Sequence, residues 1–212
     1  QDPSVEIDQD DLAIRVSFDK DARTITVSDN GIGMTAEELE NNLGTIAHSG
    51  SEEFKTENAE SQGDSVDIIG QFGVGFYSAF MVAKHVKVVT RAYGEQTAHV
   101  WESDGLEGYT IEDGERDDHG TDIILTLREN VEGKDGEEGE SYDRYLTEWG
   151  LKSLIQQYSN YVRYPIQMLC TKSRQKPKPE DAGDDYQPEY EDYTELETIN
   201  SMTPIWKKRS SD

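Results

Sequence analysis

Three glycine-bearing stretches of this 212-residue chain place chemically capable residues at the joints between regular elements. In Asp29-Asn30-Gly31-Ile32-Gly33-Met34 an acidic residue ends an apolar-alternating run and stands just before a helix start. Asp-Asn-Gly is also an ordinary tight-turn sequence. The carboxylate admits a second use. Ionised, it only accepts hydrogen bonds, so at a strand end it can take the exocyclic amine of adenine and would repel the carbonyl oxygen that guanine carries there. Gly31 and Gly33 would let the backbone lie against a flat base. The stretch Asn41-Asn42-Leu43-Gly44-Thr45-Ile46-Ala47-His48-Ser49-Gly50 follows the next helix. It reads either as a plain C-cap at Gly44 with a solvated His48, or as a glycine-bracketed hinge for a lid. Gly70-Gln71-Phe72-Gly73-Val74-Gly75-Phe76 enters a helix without a capping Ser, Thr, Asp or Asn. Amides presented at such a start can bind phosphate, and glycine loops also serve packing alone. The stretch lacks the Lys-Ser/Thr of a Walker A loop and follows no parallel-sheet strand.

The elements that must position these residues are legible in the apolar pattern. Leu12, Ile14, Val16 and Phe18 alternate with polar residues, and Ile25 and Val27 resume the alternation after Asp19-Lys20-Asp21, which predicts a β-hairpin with one buried face. Thr35 and Glu38 form a capping box ahead of Leu39 and Leu43, predicting a helix from about Ala36 to Leu43 that stops at Gly44. Residues 45–67 are polar and read as a mobile excursion with a helical turn around Phe54. Phe76, Phe80 and Met81 have helical spacing, and strands follow around 86–91, 97–101 and 122–127. Tyr145, Trp149, Ile155, Tyr158 and Val162 fit a helix ended by Pro165. A strand from Ile166 to Leu169 would pair with Tyr193 to Thr198, with a disordered acidic connection over 172–192. The fold class is therefore α+β: a two-layer sandwich of a mixed, mostly antiparallel sheet with helices on one face.

A net charge of −25 repels nucleic-acid backbones and anionic membranes, so a bound polyanion needs a local site made largely of backbone amides. The single cysteine, Cys170, forms no intramolecular disulfide and points to a reducing compartment, the cytoplasm. No stretch approaches the about 18 to 20 apolar residues of a membrane span. The chain opens on Gln1 and reads as a fragment.

In this order, the three motifs together with Gly120-Thr121 resemble the nucleotide-binding motif set of the ninety-kilodalton heat-shock chaperones of the bacterial type. These belong to a superfamily with gyrase B, histidine kinases and mismatch-repair MutL. The resemblance runs from about Asp11 to Pro165. It implies the GHKL-type ATPase fold without its first helices, and a residue-level site. Asp29 matches the adenine-reading Asp, with Thr121 and Gly33 sharing an ordered water beside it, and Met34 matches the side chain packed on the base. Asn42 matches an Asn near the ribose and phosphates, and Leu43 is expected among the nucleotide-binding residues. Gln71, Phe72, Gly73, Val74, Gly75 and Phe76 match the loop whose amides hold the phosphates, and Gly44 to Gly75 bracket the lid that includes Ser49 and Gly50. His48 stands where the family commonly has a Lys.

The same resemblance implies ATP and ADP as ligands, with Mg2+ entering alongside the nucleotide. The family's catalytic Glu and metal-ligating Asn lie on a helix that no segment before Asp29 resembles, so no catalytic or metal-ligating residue is assigned. It further implies a domain division: an ATP-binding domain over 1–171, an acidic connection over 172–192, a final strand over 193–199, and the start of a middle domain over 200–212. Client proteins and homodimerisation would belong to parts of the parent protein beyond this chain. Three functions compete: a chaperone ATPase domain, a nucleotide-responsive module that never hydrolyses ATP, and a DNA-directed ATPase. The charge and the run Gly73 to Phe80 argue against the last.

Overall fold

A computed structural model describes residues 7–44, 76–106, 108–133, 139–177 and 187–202. After one 3-10 turn, Gln9–Asp11, come β1 (Ile14–Asp19), β2 (Thr24–Asp29) and a short helix α1 (Ala36–Leu39) whose end widens into a π turn over Glu40–Gly44. A 3-10 turn, Phe76–Ser78, leads into α2 (Ala79–Val82), then β3 (Ala83–Arg91), β4 (Ala98–Ser103), β5 (Thr110–Gly114) and β6 (Gly120–Leu127). The 3-10 turn Asp143–Leu146 precedes α3 (Glu148–Tyr158), and β7 (Ile166–Gln175) and β8 (Tyr190–Thr198) finish the series. The strands form one eight-stranded sheet in the order β5-β4-β3-β6-β2-β1-β7-β8. Only β1 and β7 run parallel, through Ile14 opposite Ile166 and Arg15 opposite Gln167; all other neighbours are antiparallel. The α+β class expected from the pattern is the observed one.

Register makes one face of this sheet the core. Ile111, Trp101, Val88, Ile123, Val27 and Val16 lie side by side across six strands. Because successive side chains alternate faces, the residues two positions along share that side. Arg15, Ser17, Ser28, Lys87, Glu102 and Asp122 point to the other, where Lys87 pairs with Glu102 at 2.9 Å. Two apolar clusters cover the core face. Leu151 and Ile155 of α3 pack over Val16, Ile25, Leu127, Ile166, Met168 and Cys170. Leu39, Leu43 and Phe80 pack with Val86, Val88 and Trp101. Burial of each large apolar side chain of this kind contributes about 1.5–3 kcal/mol.

Local signals explain most boundaries. At the start of α1, Thr35 Oγ1 accepts from the Glu38 amide and Glu38 Oε2 accepts from the Thr35 amide, the capping box expected from the sequence. The α3 face differs from the sequence expectation: Leu151 and Ile155 are buried, whereas Trp149 and Tyr158 are 79% and 74% exposed. Tyr145 belongs to the preceding 3-10 turn, and Thr147 caps a new helix by accepting from the Gly150 amide. A periodicity counted from Tyr145 therefore crosses a break and comes out of phase. The edge strand β5 has no counterpart in the sequence reading, because Thr-Ile-Glu-Asp-Gly offers one inward apolar residue, Ile111, and otherwise the polar composition that shields a sheet edge.

The expected disordered connection over 172–192 is corrected at both ends. β7 continues through Gln175 and β8 begins at Tyr190, with Lys172 opposite Tyr193 and Arg174 opposite Glu191. Basic residues on β7 meet acids on β8: Lys172 lies 2.7 Å from both Glu195 and Glu197, and Arg174 lies 2.7 Å from Glu191. Part of the acidic composition is thus paired with cations across the two strands; residues 178–186 lie outside the described set. At the arm's base Asn200, 5% exposed, accepts from the Ile166 amide at 2.8 Å and donates to the carbonyls of Val162 and Tyr164 at 2.9 and 3.0 Å. Asn200→Ala strands three main-chain groups together, so urea unfolding of this variant should show a loss of about 2–4 kcal/mol. A loss below about 0.5 kcal/mol would mean that water replaces the side chain without cost.

Candidate functional site

Next to the apolar row on the core face runs a second row: His99, Thr90, Thr121, Asp29, Ile14 and Ile166. Polar groups therefore stand abreast in the middle of an otherwise apolar surface. Thr90 is fully buried and is the hub. Its Oγ1 accepts from the Met34 amide at 2.9 Å, faces Thr121 Oγ1 at 3.0 Å and lies 3.1 Å from the Gly120 carbonyl. A hydroxyl has one proton, and only donation satisfies a carbonyl. Thr90 therefore donates to Gly120, Thr121 donates to Thr90, and the remaining lone pairs of Thr121 stay available beside Asp29.

Asp29 ends β2, and its carboxylate accepts from the Gly31 amide at 2.8 Å. Burial pushes its pKa above the ordinary carboxylate value, against the opposing pull of the Gly31 amide and the Arg116 charge. Two glycines permit the crowding around it. Gly33 has φ +66° and would place a Cβ 1.9 Å from the Arg91 carbonyl oxygen; Gly120 has φ +118° and would place one 2.2 Å from that of Asp29. Neither position tolerates a side chain, because both the backbone conformation and the space exclude it.

Beside Asp29 opens a pocket of about 340 Å³, whose apolar walls include Ile14, Val27, Ile123 and Tyr164. That is at the small end of ligand pockets, which span about 300–1,000 Å³. An acceptor-only carboxylate above apolar walls suits a flat heterocycle with an exocyclic amine. Met34 borders the second apolar cluster, and Asn42 Nδ2 lies 3.7 Å from its sulfur. Leu43 is buried, Gly44 faces the Tyr109 ring, and Phe76 meets Trp101 edge-on at 5.7 Å. Asp29, Gly33, Met34 and Thr121 are thus brought together, with Asn42 adjoining Met34. Leu43 and Phe76 serve packing in the described arrangement. Ser49, Gly50, Gln71, Phe72, Gly73, Val74 and Gly75, with the expected lid, lie outside the described residues.

A family model described as histidine kinase-, DNA gyrase B-, and HSP90-like ATPase matches residues 2–115. The chain belongs to this ATPase family. Similar curated proteins are the chaperone protein HtpG of Clostridium botulinum strain Loch Maree, 51% identical over 209 residues, and that of Clostridium perfringens ATCC 13124, 49% identical over 211 residues. They cover 99% and 100% of this chain, which in turn spans 31% and 32% of their lengths, so about a third of each relative is represented here.

Sequence reasoning missed Thr90, Arg116 and His119. Thr90 left a signal, a hydroxyl in the inward phase set by Val86 and Val88; Arg116 and His119 left none, because they reach the site across the sheet from an acidic loop.

The raised Asp29 pKa has a definite sign. With the native value above the unfolded one, ionisation disfavours the fold: the site's contribution to stability is complete below the ordinary carboxylate pKa of about 3.9 and is lost as pH rises through the raised native value. In the absence of nucleotide, Asp29→Asn should therefore be more stable than the parent chain at pH 7.5, with the difference closing as pH falls towards about 4. Urea midpoints at the two pH values test this, and a variant less stable at pH 7.5 contradicts it.

Proposed function

We propose that this chain is the ATP-binding part of a bacterial heat-shock chaperone, with adenine read by Asp29. The observation that carries the proposal is Asp29, the carboxylate in the lining of an apolar pocket, which stands abreast of the satisfied Thr90–Thr121 pair. Thr90 is satisfied by Met34, Gly120 and Thr121, which leaves the remaining Thr121 lone pairs available beside Asp29 for a ligand. In the parent protein, ATP binding and hydrolysis would drive closure of a dimeric clamp on client proteins in the cytoplasm. That assignment follows from similarity to HtpG over the whole of this chain.

Binding and turnover make different demands. Adenine recognition needs Asp29, Thr121 and the close approach at Gly33, with Met34 against the base. The phosphates would fall to the Gly70–Phe76 amides. Hydrolysis needs in addition a carboxylate to orient or deprotonate water, and a metal beside the phosphates. In the described pocket lining Asp29 is the one carboxylate, and base recognition occupies it. Among the described residues no group of three or more His, Cys, Asp or Glu is placed to hold a metal ion. Mg2+ would then enter as the nucleotide complex, and no step is assigned to a protein ligand for it. The domain division proposed with this function keeps β8 and Asn200 in the nucleotide-binding unit, since β8 completes its sheet and Asn200 bonds Val162, Tyr164 and Ile166, and a further domain would begin beyond them.

Calorimetric titration tests the base assignment. ADP should bind Asp29→Asn about 1.5–3 kcal/mol more weakly than the parent chain, because a donor replaces a charged acceptor opposite the amine. Equal affinities would sink the role of Asp29. For catalysis, a phosphate-release assay on the 212-residue chain should stay at background with ATP and Mg2+. Turnover abolished by Asp29→Asn would place a catalytic group within these residues.

A further inference from the structure

The loop between β5 and β6 carries two side chains, Arg116 and His119, that each place a donor on a main-chain carbonyl of the Asp29–Gly33 turn. Arg116 Nη2 donates to the Asp29 carbonyl at 3.0 Å. Its Nη1 holds the carbonyls of Asp118 and His119, both at 2.5 Å, and its Nε and Nη2 each lie 3.2 Å from the Asp122 carboxylate. The guanidinium is thus pinned to its own loop and to β6 before it reaches β2. His119 Nδ1 meets the Gly31 carbonyl at 2.6 Å. A carbonyl only accepts, so this nitrogen carries the proton. The ring is oriented by Tyr93, edge-on at 5.2 Å, and the Tyr93 amide in turn donates to the Ile32 carbonyl at 2.7 Å.

We infer that Arg116 and His119 are positioning residues that clamp this turn from behind and thereby set where the Asp29 carboxylate points. Gly31 is the link. Its carbonyl is held by His119 while its amide donates to Asp29 Oδ1 at 2.8 Å, so rotation of that residue moves both bonds together. The carbonyls of Asp29, Gly31 and Ile32 are each taken by a donor from outside the turn. A turn with two glycines has little stiffness of its own, and these three anchors supply it. Neither side chain lines the apolar pocket of Ile14, Val27 and Ile123; both border a separate polar recess that Asp29 and Asn30 also line. Their effect on a ligand in the apolar pocket is therefore indirect and acts through preorganisation of the carboxylate. That functional consequence rests on the adenine-binding proposal above, whereas the clamp itself does not.

The experiment separates the two. Amide hydrogen exchange at Gly31 reports the clamp in the ligand-free 212-residue chain, and ADP titration reports its consequence. In His119→Leu the Gly31 amide should exchange at least about tenfold faster and ADP should bind about tenfold more weakly, the effect of one lost bond at a carbonyl that then goes unpaired. His119→Asn places an amide nitrogen where Nδ1 stood and should restore both, which mere filling of space would not do. Gly31 exchange unchanged in His119→Leu overturns the inference. Faster exchange in a chain that binds no ADP even as wild type leaves the clamp standing and removes the nucleotide proposal instead. If His119→Leu fails to fold, His119→Gln, with its donor one bond further out, is compared with His119→Asn: protection kept in Asn and lost in Gln supports the clamp, and equal protection in the two overturns it.

Discussion

The structure depends on one register: β2 pairs with β6 so that Asp29 stands opposite Thr121. A carboxylate at that point on the core face must lose water, and its raised pKa records the cost. Everything nearby offsets it. The Gly31 amide donates to it, Thr90 and Thr121 satisfy one another beside it, and Arg116 brings a positive charge and a donor to its main chain. A slip of β2 by one residue would turn Asp29 to the open face and Ser28 to the core, and the polar row would vanish.

The second constraint is that the sheet buries one face only. Two clusters cover its ends, one beneath α3 and one beneath α1 and α2, and among the described residues the surface between them forms the pocket beside Asp29. A recess flanked by two independently packed clusters has stable walls, yet its shape depends on how those clusters sit on the strands. Ile123 and Leu125 of β6 lie at the join, and Leu125 packs against both clusters. The open face carries paired charges, and the β7/β8 arm continues that habit with lysine and arginine set against glutamates. A very acidic protein thus sets cations against part of its acidic charge where these strands adjoin. Such exposed pairs add little energy each, but like charges in their places would oppose the pairing.

How far the sequence determined this protein depends on the distance over which the information acts. The β1–β2 hairpin, the Thr35–Glu38 cap and the glycine positions are local, and each was legible because period-2 alternation, capping and turn chemistry operate within a few residues. Asp29 and Met34 stand at the joint of strand and helix, as the same local signals predict, and the resemblance supplied only the ligand expected there. The phase of α3 was misread because a break at Thr147 interrupts the periodicity. The β7/β8 arm was misread because acidic residues look solvated until their cross-strand cations are known. Only the tertiary structure could make Thr90 the partner of Thr121 and Met34, or bring Arg116 and His119 behind a turn more than eighty residues earlier in the chain. Those contacts come from strand order in the sheet. Strand order is decided by which faces can be buried together, a property that no single stretch of sequence carries.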